Sequence, residues 1–413
     1  MRSIFVQIAD LPTRLRRITR GGRYRPEIDG LRFIAIALVV LGHVASRTER
    51  AQNVSFASAP YSLTYELLNV QGPGVLLFFA ISGFIIASQF LVNSAHPFSA
   101  KFLGPYYLRR VTRIEPPYFL VLVGTFLLIA ATGYIPRAST TADPDSSLTA
   151  SLFASLFYAH DLLYGHWPRL FPPGWSLEIE VQFYVFAPAF FYLYFVRVPA
   201  NRKWLMGLLI AAAAIAFSGW VGSFENPHLQ LTLLRFFPFF WIGIIMAAAN
   251  QTWRAAFAGV PSRILSAAAW AALPIFVGFS FLTGKAQITA DVSLAGSVIS
   301  IAVMFIGALS DGSFRRFCAN SWISLLGGAC YSIYLTHLQT SQIMTHAIFS
   351  LSTVGRLPWA VQLLLAYMVE IPCICAVGLT FYALVERPFM VPNWPKAAIQ
   401  KLAHRFGPAQ TNK

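Results

Sequence analysis

The feature that most constrains this chain is a series of apolar runs, each long enough to cross a bilayer. They lie at roughly 31–47, 72–92, 114–133, 176–197, 203–221, 231–249, 262–282, 290–309, 322–345 and 359–384. Lipid offers no partner to an unpaired backbone N–H or C=O, so a spanning segment must be a helix or part of a closed barrel. Runs of about 20 apolar residues without strict alternation predict helices. Only 11% of the 413 residues are charged, against about 25% in soluble domains. The expected fold class is therefore an all-α integral membrane protein with about ten transmembrane helices.

A shorter run at 148–163 decides the topology of everything after it. If it does not cross and the N-terminus is cytoplasmic, only Arg47, Arg50, Arg137, Arg169, Arg235, Lys285 and Arg356 lie outside. The other 24 of the 31 Lys and Arg then fall on the cytoplasmic side. A crossing would turn the later basic loops outward, against the positive-inside rule. Both termini are thus expected in the cytoplasm, with 148–163 a short external or re-entrant helix. The domain reading is a basic cytoplasmic arm at 1–24, a membrane domain at 25–390 and a cytoplasmic tail at 391–413. The first apolar run contains Arg32 and His43 and leads into further spans. It reads as a retained helix, not a cleaved signal.

The net charge of +15 follows from this topology, and no nucleic-acid partner is expected. Cys318, Cys330, Cys373 and Cys375 have neither metal-ligand nor disulfide-framework spacing. They read as packing residues, and no metal is expected. No internal repeat is evident, although many secondary transporters carry one.

Ionisable residues inside such spans mark pathways or reaction centres. Arg32 and His43 are eleven residues apart, which is about 20° past three full turns and about 16 Å along a helix axis. They share one face, with the arginine near a membrane surface and the imidazole near mid-bilayer. A neutral imidazole there suits a general base. The plainer alternative is a snorkelling arginine and a histidine satisfied by a backbone carbonyl. Arg110 and Arg113, three apart, share a helix face at the cytoplasmic entrance of the third span. Arginine pairs suit phosphate, although stop-transfer clusters look the same.

Trp175-Ser176-Leu177 leads into the fourth span, with Glu180 about 8 Å deeper than Trp175. That carboxylate could orient the imidazole as a third triad member does, or plug an arginine. Ser82-Gly83 offers a small-residue contact in the second span. Tyr334 and His337 share a face of the ninth span and could bind a sugar acceptor or be structural. Glu370, near mid-depth in the last span, could be a buried partner for a histidine or arginine, with no more specific role assigned.

Taken in order, the motifs resemble the membrane acyltransferase-3 family over about residues 24 to 390. They are Pro26-Glu-Ile-Asp29-Gly30-Leu31-Arg32 with His43, Phe78-Phe79-x-x-Ser82-Gly83-Phe84, Arg110-x-x-Arg113-Ile-x-Pro116, Trp175-Ser176-Leu177-x-x-Glu180-x-Gln182-Phe183-Tyr184, Tyr331-Ser-Ile-Tyr334-Leu-x-His337 and Glu386-x-Pro388-Phe389. Each motif alone is weak, and six in order is specific. Two positions depart from the pattern. Leu76 and Val181 stand where many members carry acids, which bears on acceptor choice. The chain also lacks the esterase-like soluble domain of many relatives, which favours a stand-alone transferase.

The resemblance implies an inner-membrane O-acyltransferase moving an acyl group, most simply acetyl, from acetyl-CoA or another acyl-CoA. The acceptor would be a hydroxyl of an envelope polysaccharide, glycolipid or other exported molecule. His43, Glu180 and Arg32 would be catalytic, with Arg110, Arg113 and Arg32 on the donor. Tyr334, His337, Trp175 and Ser82 would face the acceptor. Two mechanisms fit, direct attack with His43 as base and a transient acyl-histidine relay. A flippase for a lipid-linked sugar and an inactive assembly partner are the alternatives from other classes.

Overall fold

A computed structural model describes residues 10–18, 24–52, 68, 70–92, 99–133, 147–282 and 287–390. The tail expected at 391–413 lies outside the described residues, as does most of the loop before 147. The described residues contain helices and no strand. The long helices are α1 Pro26–Gln52, α2 Gln71–Val92 and α3 Ala100–Thr132. The short α4 Leu148–Leu156 and α5 His160–Tyr164 precede α6 Gly174–Phe191, which continues as a π-helix over Tyr192–Arg197. Then come α7 Lys203–Gly222, α8 Leu233–Ala248, α9 Ser262–Leu282, α10 Gln287–Leu309, α11 Ser321–Gly328, α12 Cys330–Phe349 and α13 Trp359–Phe381.

Nine of the described helices are long and apolar enough to cross a membrane. They correspond to nine of the ten expected spans. The tenth, at 322–345, is divided at Ala329 into α11 and α12. Gly327 and Gly328 lower helix propensity at the break, and a Cβ on Gly327 would sit 1.7 Å from the Asp29 carbonyl oxygen of α1. α12 is 20 residues long but carries Ser332, Thr336, His337, Thr340, Ser341 and Thr345. It falls short in apolarity, not length, and its polar side chains point into the protein.

The centre of the bundle is α1, α2 and α8. In the apolar windows of Pro26–Ala51 and Pro227–Ala248, 67% is buried, against 22% in Lys203–Gly222 and Ser262–Ser280. The latter two present residues such as Leu205, Leu208 and Ile275 outward, as a lipid-facing surface requires. α2 and α8 touch backbone to backbone through two glycines. A Cβ on Gly83 would meet the Phe240 carbonyl oxygen at 2.1 Å, and one on Gly243 the Ala80 carbonyl oxygen at 1.9 Å. This is the small-residue contact expected of the Ser82-Gly83 pair.

Proline creates a further tie. Pro188 has no N–H, so the Tyr184 carbonyl loses its helical partner. Tyr106 of α3 donates its hydroxyl to that carbonyl at 2.9 Å, which locks α3 to α6. The 148–163 segment is not a span. Tyr118, halfway along α3, donates to the Ser155 carbonyl at 3.3 Å and stacks on Tyr158 with centroids 5.0 Å apart. The segment therefore dips into the bundle. Glu178 of α6 holds its tip, accepting from the His160 and Asp161 amides at 3.1 and 2.9 Å.

Candidate active site

α12 organises the polar interior, and three groups hang on it at successive depths. The middle group is a pair of imidazoles. His337 is fully buried, and its Nδ1 lies 2.6 Å from the Tyr334 carbonyl oxygen. A carbonyl only accepts, so Nδ1 carries the proton and the neutral ring leaves Nε2 bare. That Nε2 is buried without a hydrogen-bond partner among the described residues. The half-buried His43 of α1 is the neighbouring ring, with centroids 5.1 Å apart and planes at 43°. A bare ring nitrogen beside a second titratable ring is an arrangement that can accept and pass a proton. Tyr334, one turn below, places its hydroxyl 3.0 Å from Ser176 Oγ and donates to the Pro173 carbonyl. This anchors α12 to the start of α6.

The second group lies toward the end of the bundle that holds the N-terminal arm. Glu386 accepts Ser332 Oγ at 2.6 Å and pairs with Arg113 at 3.5 Å. It sits at the end of a π-helical turn, Tyr382–Glu386, just ahead of Pro388. Asp29 takes both Arg32 at 2.7 Å and Arg17 at 3.3 Å on one oxygen. Ser332 and His337 are five residues apart, so this ionic layer lies about 7.5 Å along α12 from the imidazoles.

The third group is on the far side of the imidazoles. Glu370 of α13 is fully buried and accepts Ser341 and Thr345 of α12 at 2.5 and 2.7 Å. Arg47, one turn beyond His43, donates to Gln342 and lies within electrostatic reach of Glu370.

The sequence candidates distribute over this frame unevenly. His43, His337, Tyr334 and Ser176 come together. Arg32 lies on the His43 helix but is engaged by Asp29. Arg113 joins the ionic layer, whereas Arg110 turns toward α2 and α6. Its guanidinium lies 3.6 Å from the Tyr106 ring centroid and 5.2 Å from that of Tyr184, and bonds Gln89 at 3.4 Å. Glu180 accepts from Ser82 and Tyr184 on one oxygen. No hydrogen bond joins it to His43 among the described residues, and the group beside that imidazole is His337. Trp175 packs in an aromatic cluster with Phe79 and Phe236, centroids 6.4 and 5.6 Å away. Arg17 and Gln342 escaped the sequence reading, Asp29 stood there only as part of the first motif, and the partners of Glu370 were not named.

The acyltransferase domain model of the acyltransferase-3 family covers residues 25–386. The chain belongs to the acyltransferase-3 family. This acyltransferase-3 member is similar to Nodulation protein 10 of Rhizobium leguminosarum bv. viciae, 21% identical over 89% of the chain and 94% of that protein. It is also similar to the exopolysaccharide production protein ExoZ of Rhizobium meliloti, 28% identical over 77% of the chain and 89% of that protein. The peptidoglycan O-acetyltransferase OatA of Listeria monocytogenes is 28% identical over 49% of the chain. The matched stretch spans only 30% of OatA's length. No solved structure matches. The acyltransferase-3 chain is thus a multi-pass membrane protein of an acyltransferase family.

Proposed function

We propose that this protein is an O-acyltransferase that moves an acyl group, most simply acetyl, from cytoplasmic acyl-CoA to a hydroxyl of an envelope or exported carbohydrate. The membrane is the inner membrane, with the N-terminus and the ionic layer on the cytoplasmic side. The observation that carries the reading is the His43–His337 pair. It stands one and a half turns along α12 from the ionic layer of Arg17, Arg32 and Arg113, and its bare Nε2 has no partner among the described residues. The names of ExoZ and the peptidoglycan O-acetyltransferases support a carbohydrate acceptor.

In this mechanism the donor's phosphates stay at the ionic layer and its pantetheine arm runs up beside α12. The thioester then lies against His43. His43 takes the proton of the acceptor hydroxyl as that oxygen attacks the thioester carbonyl. The tetrahedral intermediate collapses, the C–S bond breaks, and the coenzyme A sulfur leaves and recovers the proton. His337 Nε2 offers a second place for that proton. Glu180, held by Ser82 and Tyr184, supplies a fixed negative charge near Arg110. A relay in which His43 itself carries the acyl group uses the same contacts.

The test is transfer of labelled acetyl from acetyl-CoA into glycan or glycolipid in membranes carrying wild type or His43→Ala. A positioned base contributes about 10²–10⁴-fold, so label is expected only with the wild type. Equal labelling by both removes His43 from the reaction. Labelling by neither, with acceptor supplied, removes acetyl-CoA as donor.

A further inference from the structure

The described part of the N-terminal arm, residues 10–18, reaches the ionic layer. Residues 10–18 begin with a single helical turn, Leu11–Arg14, that packs near α11. Arg387 donates to the Arg14 carbonyl at 2.8 Å, which pins the arm to the chain just after the last span. Three residues later Arg17 enters the protein. Its side chain is only 12% exposed and bonds Asp29 at 3.3 Å. Its Cβ passes over Gly328, 3.6 Å from where a Cβ there would stand. Burial, and next the charge of Arg113, push the Arg17 guanidinium down from its ordinary value, while Asp29 opposes them. Arg17 and Arg113 are therefore close enough to repel one another.

Three guanidinium groups, Arg17, Arg32 and Arg113, are gathered here against the carboxylates of Asp29 and Glu386, and with Arg16 and Glu27, both within electrostatic reach of Asp29, positive charges outnumber negative ones by four to three. The layer has one excess positive charge. The Asp29 and Glu386 carboxylates are nearly or fully buried and already engaged. Buried like charges persist when something of opposite sign pays for them, and guanidinium forks match phosphate oxygens.

We propose that Arg17 of the N-terminal arm, with Arg32 and Arg113, forms a three-arginine cradle for the phosphates of the acyl donor. This rests on the acyl-CoA reading above and adds to it a segment that precedes the first span. Asp29 sets the two forks of Arg17 and Arg32 side by side, and an incoming phosphate relieves the repulsion between Arg17 and Arg113. Arg17 is then part of the binding site.

The test compares two donors, acetyl-CoA and S-acetylpantetheine, which carries the same thioester without phosphates. Arg17→Ala is expected to raise KM for acetyl-CoA about tenfold, the loss of one charged hydrogen bond, with kcat little changed. The preference for acetyl-CoA over S-acetylpantetheine, as a ratio of kcat/KM values, should fall by the same factor. Arg17→Lys should recover part of it. Arg14→Ala, an exposed arginine on the same arm, should leave the ratio intact and controls for folding of the arm. A parallel loss with both donors means that Arg17 is a structural clip, and an equal fall with Arg14→Ala means diffuse surface charge. Either result overturns the cradle. Wild type that accepts neither thioester overturns the acyl-CoA reading itself, and the cradle with it.

Discussion

His43 and His337 lie ring against ring, 5.1 Å between centroids, on helices α1 and α12. The hydrogen bond from His337 Nδ1 to the Tyr334 carbonyl fixes which nitrogen is bare. A change that keeps a polar side chain but removes the basic nitrogen can therefore test that nitrogen's role. His337→Gln is expected to lower kcat by about 10²-fold or more, the scale of a lost proton acceptor, while donor KM stays near wild type. Transfer kinetics in membranes check this. A change confined to acceptor KM would instead make His337 a binding residue.

Glu370 satisfies Ser341 and Thr345 and faces Arg47. Glu370→Ala strands two buried hydroxyls and removes the countercharge of a buried arginine. Leaving such groups unpaired costs about 2–5 kcal/mol. The expected result is a clear drop in melting temperature in detergent. Activity should fall too, because α12 carries His337. Glu370→Gln, which keeps acceptor capacity, should lose less.

Asp161 sits at the tip of the re-entrant segment, 1% exposed, with both carboxyl oxygens lacking a hydrogen-bond partner among the described residues. Burial first, and the Glu178 carboxylate second, push its carboxyl up to about 9. The folded protein then binds a proton that the unfolded chain releases near pH 4. Asp161's contribution is most favourable below about pH 4 and is lost as pH rises toward 9. Asp161→Asn should flatten this slope, and melting curves from pH 5 to 9 should show it gaining on wild type as pH rises.

Gly243 faces the Ala80 carbonyl oxygen with no room for a methyl group. Gly243→Ala forces α8 away from α2 and disturbs Phe240, which stacks on Phe79 and Phe183 at 4.7 and 4.2 Å. Overpacking at a buried contact costs about 1–3 kcal/mol or more. Folded yield by fluorescence-detected size exclusion is expected to fall well below that of a lipid-facing control, Leu208→Ala.

Much of this architecture was legible in residue order. Length and apolarity located nine spans because a bilayer imposes both. Charge bias picked out 148–163 as non-spanning before Tyr118 and Glu178 showed what holds it. Arg32 and His43 were readable as an outlying pair in an apolar run. What spacing could not give was partnership across helices. His337 looked like an acceptor contact because nothing local says that it meets His43. Glu180 looked like the imidazole's partner, yet Ser82 and Tyr184 take its carboxylate. Arg17 was one arginine among several in the arm, and only the Asp29 contact distinguishes it. Glu370 read only as a buried partner for some histidine or arginine, and spacing does not pick Arg47 from among them.

The polarity of α12 has a consequence for how the protein is made. The segment that carries Ser332, Tyr334, His337 and Ser341 is the one least able to partition into lipid on its own. The strongly apolar α13 follows it after a short connection and packs along it, with Glu370 tied to two of its hydroxyls. α12 is therefore expected to enter the membrane together with α13, and the His43–His337 pair forms only once both helices are in place.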